Sequence, residues 1–218
     1  FGRQLAAPIM AAPIGAQSVI HDDGESAVAA ATADLDVPFA LSTASSTTLE
    51  DIADILGSTP KVFQLYVASD DRLTASLLDR AESAGYDAIM VTVDMPLRGW
   101  IEAELEAGAF PPADGHGLAN YLSDPVFSEA LEGSPEADMD AAIDHYLSIA
   151  SDPGMTWSTI EDITSMTDLP VIVKGVLHPD DAVRASEIAD GVVVSNHGGR
   201  SLDGSIAEGC EPGFLTFS

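Results

Sequence analysis

The stretch Gly191-Val192-Val193-Val194-Ser195-Asn196-His197-Gly198-Gly199-Arg200 decides the reading of the fold. Its apolar half reads as a buried strand of a parallel sheet, because strands covered on both faces carry continuous rather than alternating apolar runs. Its polar half follows at the C-terminal end of that strand. There His197 can take a proton near neutral pH. Gly198 and Gly199 let the backbone approach a ligand closely. Arg200 can hold a carboxylate through two hydrogen bonds.

Outward from this stretch, similar apolar runs recur at Ile9–Ile14, Phe39–Thr43, Val62–Val67, Ala88–Asp94 and Val171–Gly175. Amphipathic segments lie between them: Glu25–Asp34, Thr48–Leu56, Asp70–Ala84, Ser158–Met166 and Pro179–Ile188. Ser158 with Glu161 has the spacing of a capping box. Pro179, Asp180 and Asp181 suit a first helical turn. Strands alternating with helices predict βαβ units and an α/β fold with a parallel sheet. No GxGxxG follows the first strand, which argues against a dinucleotide-binding sheet. Polar residues gather at the strand C-termini, which is the catalytic face of a (β/α)8 TIM barrel. The expected architecture is therefore such a barrel, incomplete, with about six of its eight strands. Residues 97–155 are too long for an ordinary connection and form an insertion after the fourth strand. They read as a lid over the barrel mouth or as a surface excursion.

Composition narrows the partners. The chain has 218 residues, enough for one domain, and 46% are hydrophobic. No apolar run reaches the roughly 18 residues of a membrane span, so no membrane is expected. Thirty-six acidic residues face eight basic ones, a net charge of −28. Nucleic acid is not expected as a partner, because phosphate contacts need a basic face. Acids spread along a chain with only two lysines suit a high-salt, halophilic cytoplasm, where screening shortens self-repulsion. A single cysteine, Cys210, cannot form an intrachain disulfide and fits a reducing, cytoplasmic compartment.

Several residues carry candidate chemistry. Lys174 closes a buried strand, where an ammonium costs desolvation unless something electron-rich meets it; the alternative is a lysine reaching for solvent. Tyr66 shares a strand face with Gln64 by the two-residue period. It is either a hydrogen-bonding phenol or a core residue. Asp94 could orient His197 and stabilise its imidazolium, or cap a helix. His21, His116, His145 and His178 show no paired metal-ligand spacing, and no metal is expected.

The segments Pro8–Gly15, Gln64-Leu65-Tyr66, Thr92-Val93-Asp94, Val173-Lys174-Gly175 and Ser195–Arg200 stand in one order that closely resembles the FMN-dependent 2-hydroxy acid oxidases and dehydrogenases. Gly99-Trp100, Leu118–Phe127, Thr156-Trp157 and His178–Ala182 are similar to the lactate 2-monooxygenase branch. The resemblance implies FMN as cofactor and a small-molecule 2-hydroxy acid, lactate foremost, with O2 as co-substrate. It implies that Ala12, Pro13, Ile14 and Gly15 line the flavin. Ser42, Gln64 and Thr92 would hydrogen-bond its ring, and Ser195 would approach it. Lys174 would lie beside N1 and O2. Tyr66 and Arg200 would bind the substrate. His197 would be the base and Asp94 its partner. The implied products are acetate, CO2 and water for a monooxygenase, or the 2-oxo acid for an oxidase or dehydrogenase. A second FMN barrel, the type 2 isopentenyl-diphosphate isomerase, fits less well, because a His-Gly-Gly-Arg clamp suits a hydroxy-carboxylate rather than a diphosphate.

The resemblance also marks departures. Arg98 stands near, but out of register with, an arginine the family carries after its fourth strand, and a family tyrosine falls before Phe1. The likeness stops near Ile206. Residues 1–207 are expected to form a partial barrel and 208–218 an unrelated tail, without the family's phosphate-gripping segments. On that expectation the chain keeps its chemistry and binds flavin poorly, or is a non-catalytic remnant. The family's frequent tetramer makes a homo-oligomer the expected assembly.

Overall fold

A computed structural model of the protein describes residues 5, 7–97, 99–108, 111–135 and 137–205. Arg98 and the expected tail at 208–218 lie outside the described residues. Five strands form one sheet: β1 (Phe39–Ser42), β2 (Lys61–Leu65), β3 (Ala88–Thr92), β4 (Val171–Val176) and β5 (Gly191–Val194). All neighbours are parallel and the spatial order is the chain order. The helices are α1 (Gly24–Asp34), α2 (Leu49–Leu56), α3 (Asp71–Ser83), α4 (Glu102–Ala107), α5 (Ala119–Leu122), α6 (Pro125–Glu129), α7 (Met139–Ile149), α8 (Trp157–Met166) and α9 (Pro179–Ile188). None of the described helices is long and apolar enough to cross a membrane.

The two faces of the sheet explain the continuous apolar runs. One face, with Phe39, Leu41, Phe63, Leu65, Ile89, Val91, Val171 and Val173, packs against the helices in the main core. The other holds a smaller cluster of Ala40, Val62, Ala88, Met90 and Ile172. This second face corresponds to a barrel interior, and its alternate positions lead to Ser42, Gln64, Thr92 and Lys174 at the strand ends.

Ile9–Ile14, expected as a strand, is not one. Its only ladder contact among the described residues is an isolated bridge between Ala11 and Phe39. Ala11 N–H donates to Pro38 O at 2.9 Å, and Ala40 N–H donates to Ala11 O at 3.0 Å. In a parallel pair the next donor toward β1 would be residue 13, which is a proline without an N–H. The described sheet therefore has five strands rather than six.

Helix starts follow the side-chain caps. Thr48 Oγ1 accepts from Asp51 N–H at 3.2 Å, and Asp70 Oδ1 accepts from Arg72 N–H at 2.9 Å. The cap of α8 is Thr156, whose N–H donates to Thr159 Oγ1 at 3.0 Å, rather than the Ser158–Glu161 box expected from spacing. Threonine at 159 does the work expected of an acid at 161, so the cap falls two residues earlier.

The insertion between β3 and α8 is built mostly of short helices and is anchored by buried polar contacts. Asn120, fully buried, accepts Leu49 N–H at 2.8 Å and donates to Thr43 O at 3.1 Å. Asp124, also fully buried, caps α6 through Val126 N–H at 2.9 Å and pairs with Arg80 at 3.0 Å. Arg80 additionally reaches Glu50 and the Asn120 carbonyl, both at 2.8 Å. These contacts fasten residues 118–129 over the loop after β1, beside the strand C-termini.

Candidate active site

Each strand end delivers one polar group to the same side. Ser42, Gln64, Thr92, Lys174 and Ser195 are each at most 8% exposed. Ser42 Oγ donates to Gln64 Oε1 at 2.9 Å, and Gln64 Nε2 donates to Thr92 Oγ1 at 3.0 Å. These groups form a hydrogen-bonded row across β1, β2 and β3. Next to it, β4 contributes the Lys174 ammonium, two residues before the strand ends.

Beyond β5 the chain turns sharply. His197, Gly198 and Gly199 all have left-handed backbones, with φ of 61°, 63° and 73°. For His197 this conformation is strained. The turn is held by Asn196 Oδ1, which accepts Gly199 N–H at 3.2 Å, and by Ser195 Oγ, which accepts His197 N–H at 2.9 Å. The result projects the imidazole back over the strand ends.

His197 is the hub. Its Nδ1 lies 2.9 Å from Asp94 Oδ1 and 3.4 Å from Lys174 Nζ. Its Nε2 lies 3.3 Å from the Tyr66 hydroxyl, and the two rings stack with centroids 6.4 Å apart. A carboxylate at Nδ1 favours the proton there, so Nε2 is the acceptor, receiving the Tyr66 O–H. The Asp94 side chain is only 10% exposed, and its second oxygen, Oδ2, has no hydrogen-bond partner among the described residues. Burial, and then the Asp94 charge, push the Tyr66 phenol well above its ordinary range, so it stays a neutral donor.

The structure thus joins Tyr66, Asp94, Lys174, Ser195 and His197 into one cluster, with Ser42, Gln64 and Thr92 alongside. Arg200 follows the same turn on the exposed surface, its N–H donating to His197 O at 3.2 Å. Ala12, Pro13, Ile14 and Gly15 pass the loop after β1: Ala16 N–H donates to Ala44 O at 2.8 Å. A Cβ on Gly15 would fall 2.6 Å from that same carbonyl, so only glycine permits this approach. Sequence reasoning missed the groups that support the cluster from behind. Ser201 Oγ donates to Asp94 O at 2.5 Å, and Gly175 sits against Asp94. Ser201 follows the quoted motif directly, and that adjacency was the only available signal for it.

The residues fit a flavin. Hydroxyl, amide, hydroxyl and ammonium in a row match a ring edge that alternates hydrogen-bond donors and acceptors, and a buried ammonium suits a neighbour that gains negative charge.

The parallel sheet, with its polar cluster at the strand C-termini, has the layout of part of an α/β barrel and its C-terminal-face site. The FMN-dependent dehydrogenase family matches residues 1–208, and the chain belongs to that family, whose cofactor is FMN. An L-lactate oxidase of Lysinibacillus sphaericus (strain C3-41) is 38% identical over 207 residues, which are 94% of this chain and 53% of that protein. A 4-hydroxymandelate oxidase of Amycolatopsis orientalis is 39% identical over 207 residues, 94% of this chain and 55% of the relative. The crystal structure of mandelate oxidase with (S)-4-hydroxymandelic acid superposes with a TM-score of 0.76 at 38% identity, covering 94% of this chain and 55% of the other. The chain spans about half the length of the curated relatives it matches.

Proposed function

We propose that this chain carries the catalytic cluster for FMN-dependent oxidation of a small L-2-hydroxy acid, lactate foremost, with O2 as acceptor. The observation that carries the reading is His197, held between Asp94 at Nδ1 and Tyr66 at Nε2 beside a buried lysine. FMN, held at its ring by Ser42, Gln64, Thr92 and Lys174, would supply the two-electron acceptor that O2 reoxidises. A substrate hydroxyl entering at Nε2 meets both the base and the Tyr66 phenol. His197 accepts one proton at Nε2, and Asp94 holds the resulting imidazolium from behind. Arg200 supplies the carboxylate clamp.

For the oxidase outcome, 2-hydroxy acid and O2 become 2-oxo acid and hydrogen peroxide. For the monooxygenase outcome, lactate and O2 become acetate, CO2 and water. The likeness of residues 118–127 to the monooxygenase branch favours the second. In that reading, residues 97–155 form a lid that keeps the 2-oxo acid beside peroxide. Relatives named as lactate and hydroxymandelate oxidases favour the first. Residues 1–207 as a partial barrel and a high-salt cytoplasm complete the proposal, with a homo-oligomer, a tetramer, assigned to the full-length family member.

The test begins with the purified chain mixed with FMN. A yellow protein bleached anaerobically by L-lactate supports the function, and a colourless protein overturns it for this chain. In air, acetate and CO2 identify the monooxygenase, whereas pyruvate and peroxide identify the oxidase. His197→Ala is expected to slow bleaching about 10²- to 10⁴-fold, the span of general acid–base catalysis; unchanged bleaching removes His197 as the base.

A further inference from the structure

The residue after Lys174 has a backbone unlike the rest of its strand. β4 is irregular there: Lys174 faces Val193 and Val176 faces Val194, so Gly175 is an extra, unpaired residue. Its φ is 109°, which side-chain-bearing residues rarely adopt. The bulge returns Val176 to the helix-packed core while leaving Lys174 on the site face.

Space around Gly175 is as telling as its backbone. A Cβ built on it would lie 2.5 Å from Asp94 Cγ, 2.7 Å from Asp94 Cβ and 2.8 Å from Asp94 N. These atoms are not the free end of a flexible chain. Ser201 Oγ donates to the Asp94 backbone carbonyl at 2.5 Å, which ties the main chain at Asp94, while its side chain lies against Gly175. Its carboxylate reaches His197 through Oδ1 alone, since Oδ2 has no partner among the described residues. A methyl group at position 175 would meet the carboxylate carbon itself and swing the group off Nδ1.

Building on the reading of His197 as base, we propose that Gly175 is a positioning residue: its missing side chain is the space from which Asp94 orients the His197 imidazole. The consequence is tautomeric. With Asp94 in place the proton sits on Nδ1 and Nε2 is free to accept. With Asp94 displaced, Nε2 carries the proton for part of the time and cannot take the substrate's.

The experiment is a double-mutant cycle on the FMN-loaded chain with Asp94→Asn, Gly175→Ala and both together, read as the single-turnover rate of flavin reduction by L-lactate. Asp94→Asn is expected to slow reduction about 10²- to 10⁴-fold. Gly175→Ala should slow it about tenfold or more by the same route. The double variant should be no slower than Asp94→Asn within about twofold, because the glycine acts through the carboxylate. A second readout needs no flavin. The ¹⁵N resonances of the His197 imidazole should move from the Nδ1–H toward the Nε2–H form in Gly175→Ala.

Equal slowing in both backgrounds with an unmoved imidazole signal overturns the proposal and leaves Gly175 as a bulge former only. An Asp94→Asn variant as fast as the unaltered chain instead defeats the reading of the His197–Asp94 pair. Should Gly175→Ala alone not fold, the Asp94→Gly background removes the two side-chain contacts and keeps the approach to the Asp94 N and the backbone strain, so recovery of folding there ties the defect to the Asp94 side chain. Failure to fold there too assigns Gly175 to the backbone and also overturns the proposal.

Discussion

Tyr66 presents its hydroxyl to the same nitrogen that a substrate proton must reach. Burial and the Asp94 carboxylate raise its pKa, so the phenol keeps its proton across the working range. Tyr66→Phe removes one neutral hydrogen bond, about 0.5–1.5 kcal/mol, so kcat/KM for lactate should fall about 2- to 12-fold. The sign of the shift also predicts that no alkaline loss of activity between about pH 7 and 9 belongs to Tyr66. A limb in that window that disappears in Tyr66→Phe would contradict this. Tyr66 was legible because the two-residue period sets it on the face of Gln64, and Asp94, Lys174 and His197 because each follows or closes an apolar strand run. The role proposed for Gly175 was not, because it depends on a φ angle and a bulge that no local pattern encodes. Ser201 was equally hidden: a serine after a glycine-rich turn announces nothing until its hydroxyl is seen on Asp94.

At the scale of elements, one cation ties three parts of the molecule together. Arg80, on α3, joins Glu50 of α2 to Asp124 and the Asn120 carbonyl in the insertion. Arg80→Ala leaves the fully buried Asp124 carboxylate without its charge partner, a loss of about 3–5 kcal/mol for a broken buried pair. The melting temperature should drop accordingly, and a fall of less than about 1 kcal/mol in denaturant titrations would show that the pair does not hold the insertion. The acid limb should change too. Burial is the largest influence and raises the Glu50 pKa, but the Arg80 hydrogen bond, a backbone hydrogen bond and the Arg80 charge together outweigh it and leave it below its usual value. A depressed carboxylate contributes stability above its unfolded pKa that is lost as pH falls through the folded one. Arg80→Ala should therefore flatten the loss of stability below about pH 4.5. Strands and long helices were readable from periodicity to within about two residues. Ile9–Ile14 was not, because an apolar run shows hydrophobicity while Pro13 removes the donor that pairing needs. Asn120 and Asp124 were also opaque, since a polar residue in a turn-rich segment gives no sign of being buried.

For the whole molecule, charge dominates. Described ion pairs such as Arg72 with Glu129 and Arg184 with Glu161 engage a few of the 36 acidic residues. The rest repel one another across a net charge of −28. Raising KCl from about 0.1 M to about 1 M shortens the screening length from about 10 Å to about 3 Å. The thermal midpoint should climb by several degrees over that range and level off. A midpoint that falls or stays flat would remove the high-salt proposal. The charge reading needed only the composition. The sheet's exposed side did not emerge from it, because β5 is only half-buried along Gly191–Val194 despite its fully apolar sequence.

The spatial order of the strands has a kinetic side. Val62 faces Ala88 across the β2–β3 pair, while Ile89 faces Val171 across the β3–β4 pair. The second loop is about three times longer, and closing it costs about 1 kcal/mol more in chain entropy. Local pairing among β1, β2 and β3 is therefore favoured first, and Lys174 and His197 reach their places only after the insertion has been gathered in. On this order of assembly, the row of Ser42, Gln64 and Thr92 precedes the base in time as it does along the chain.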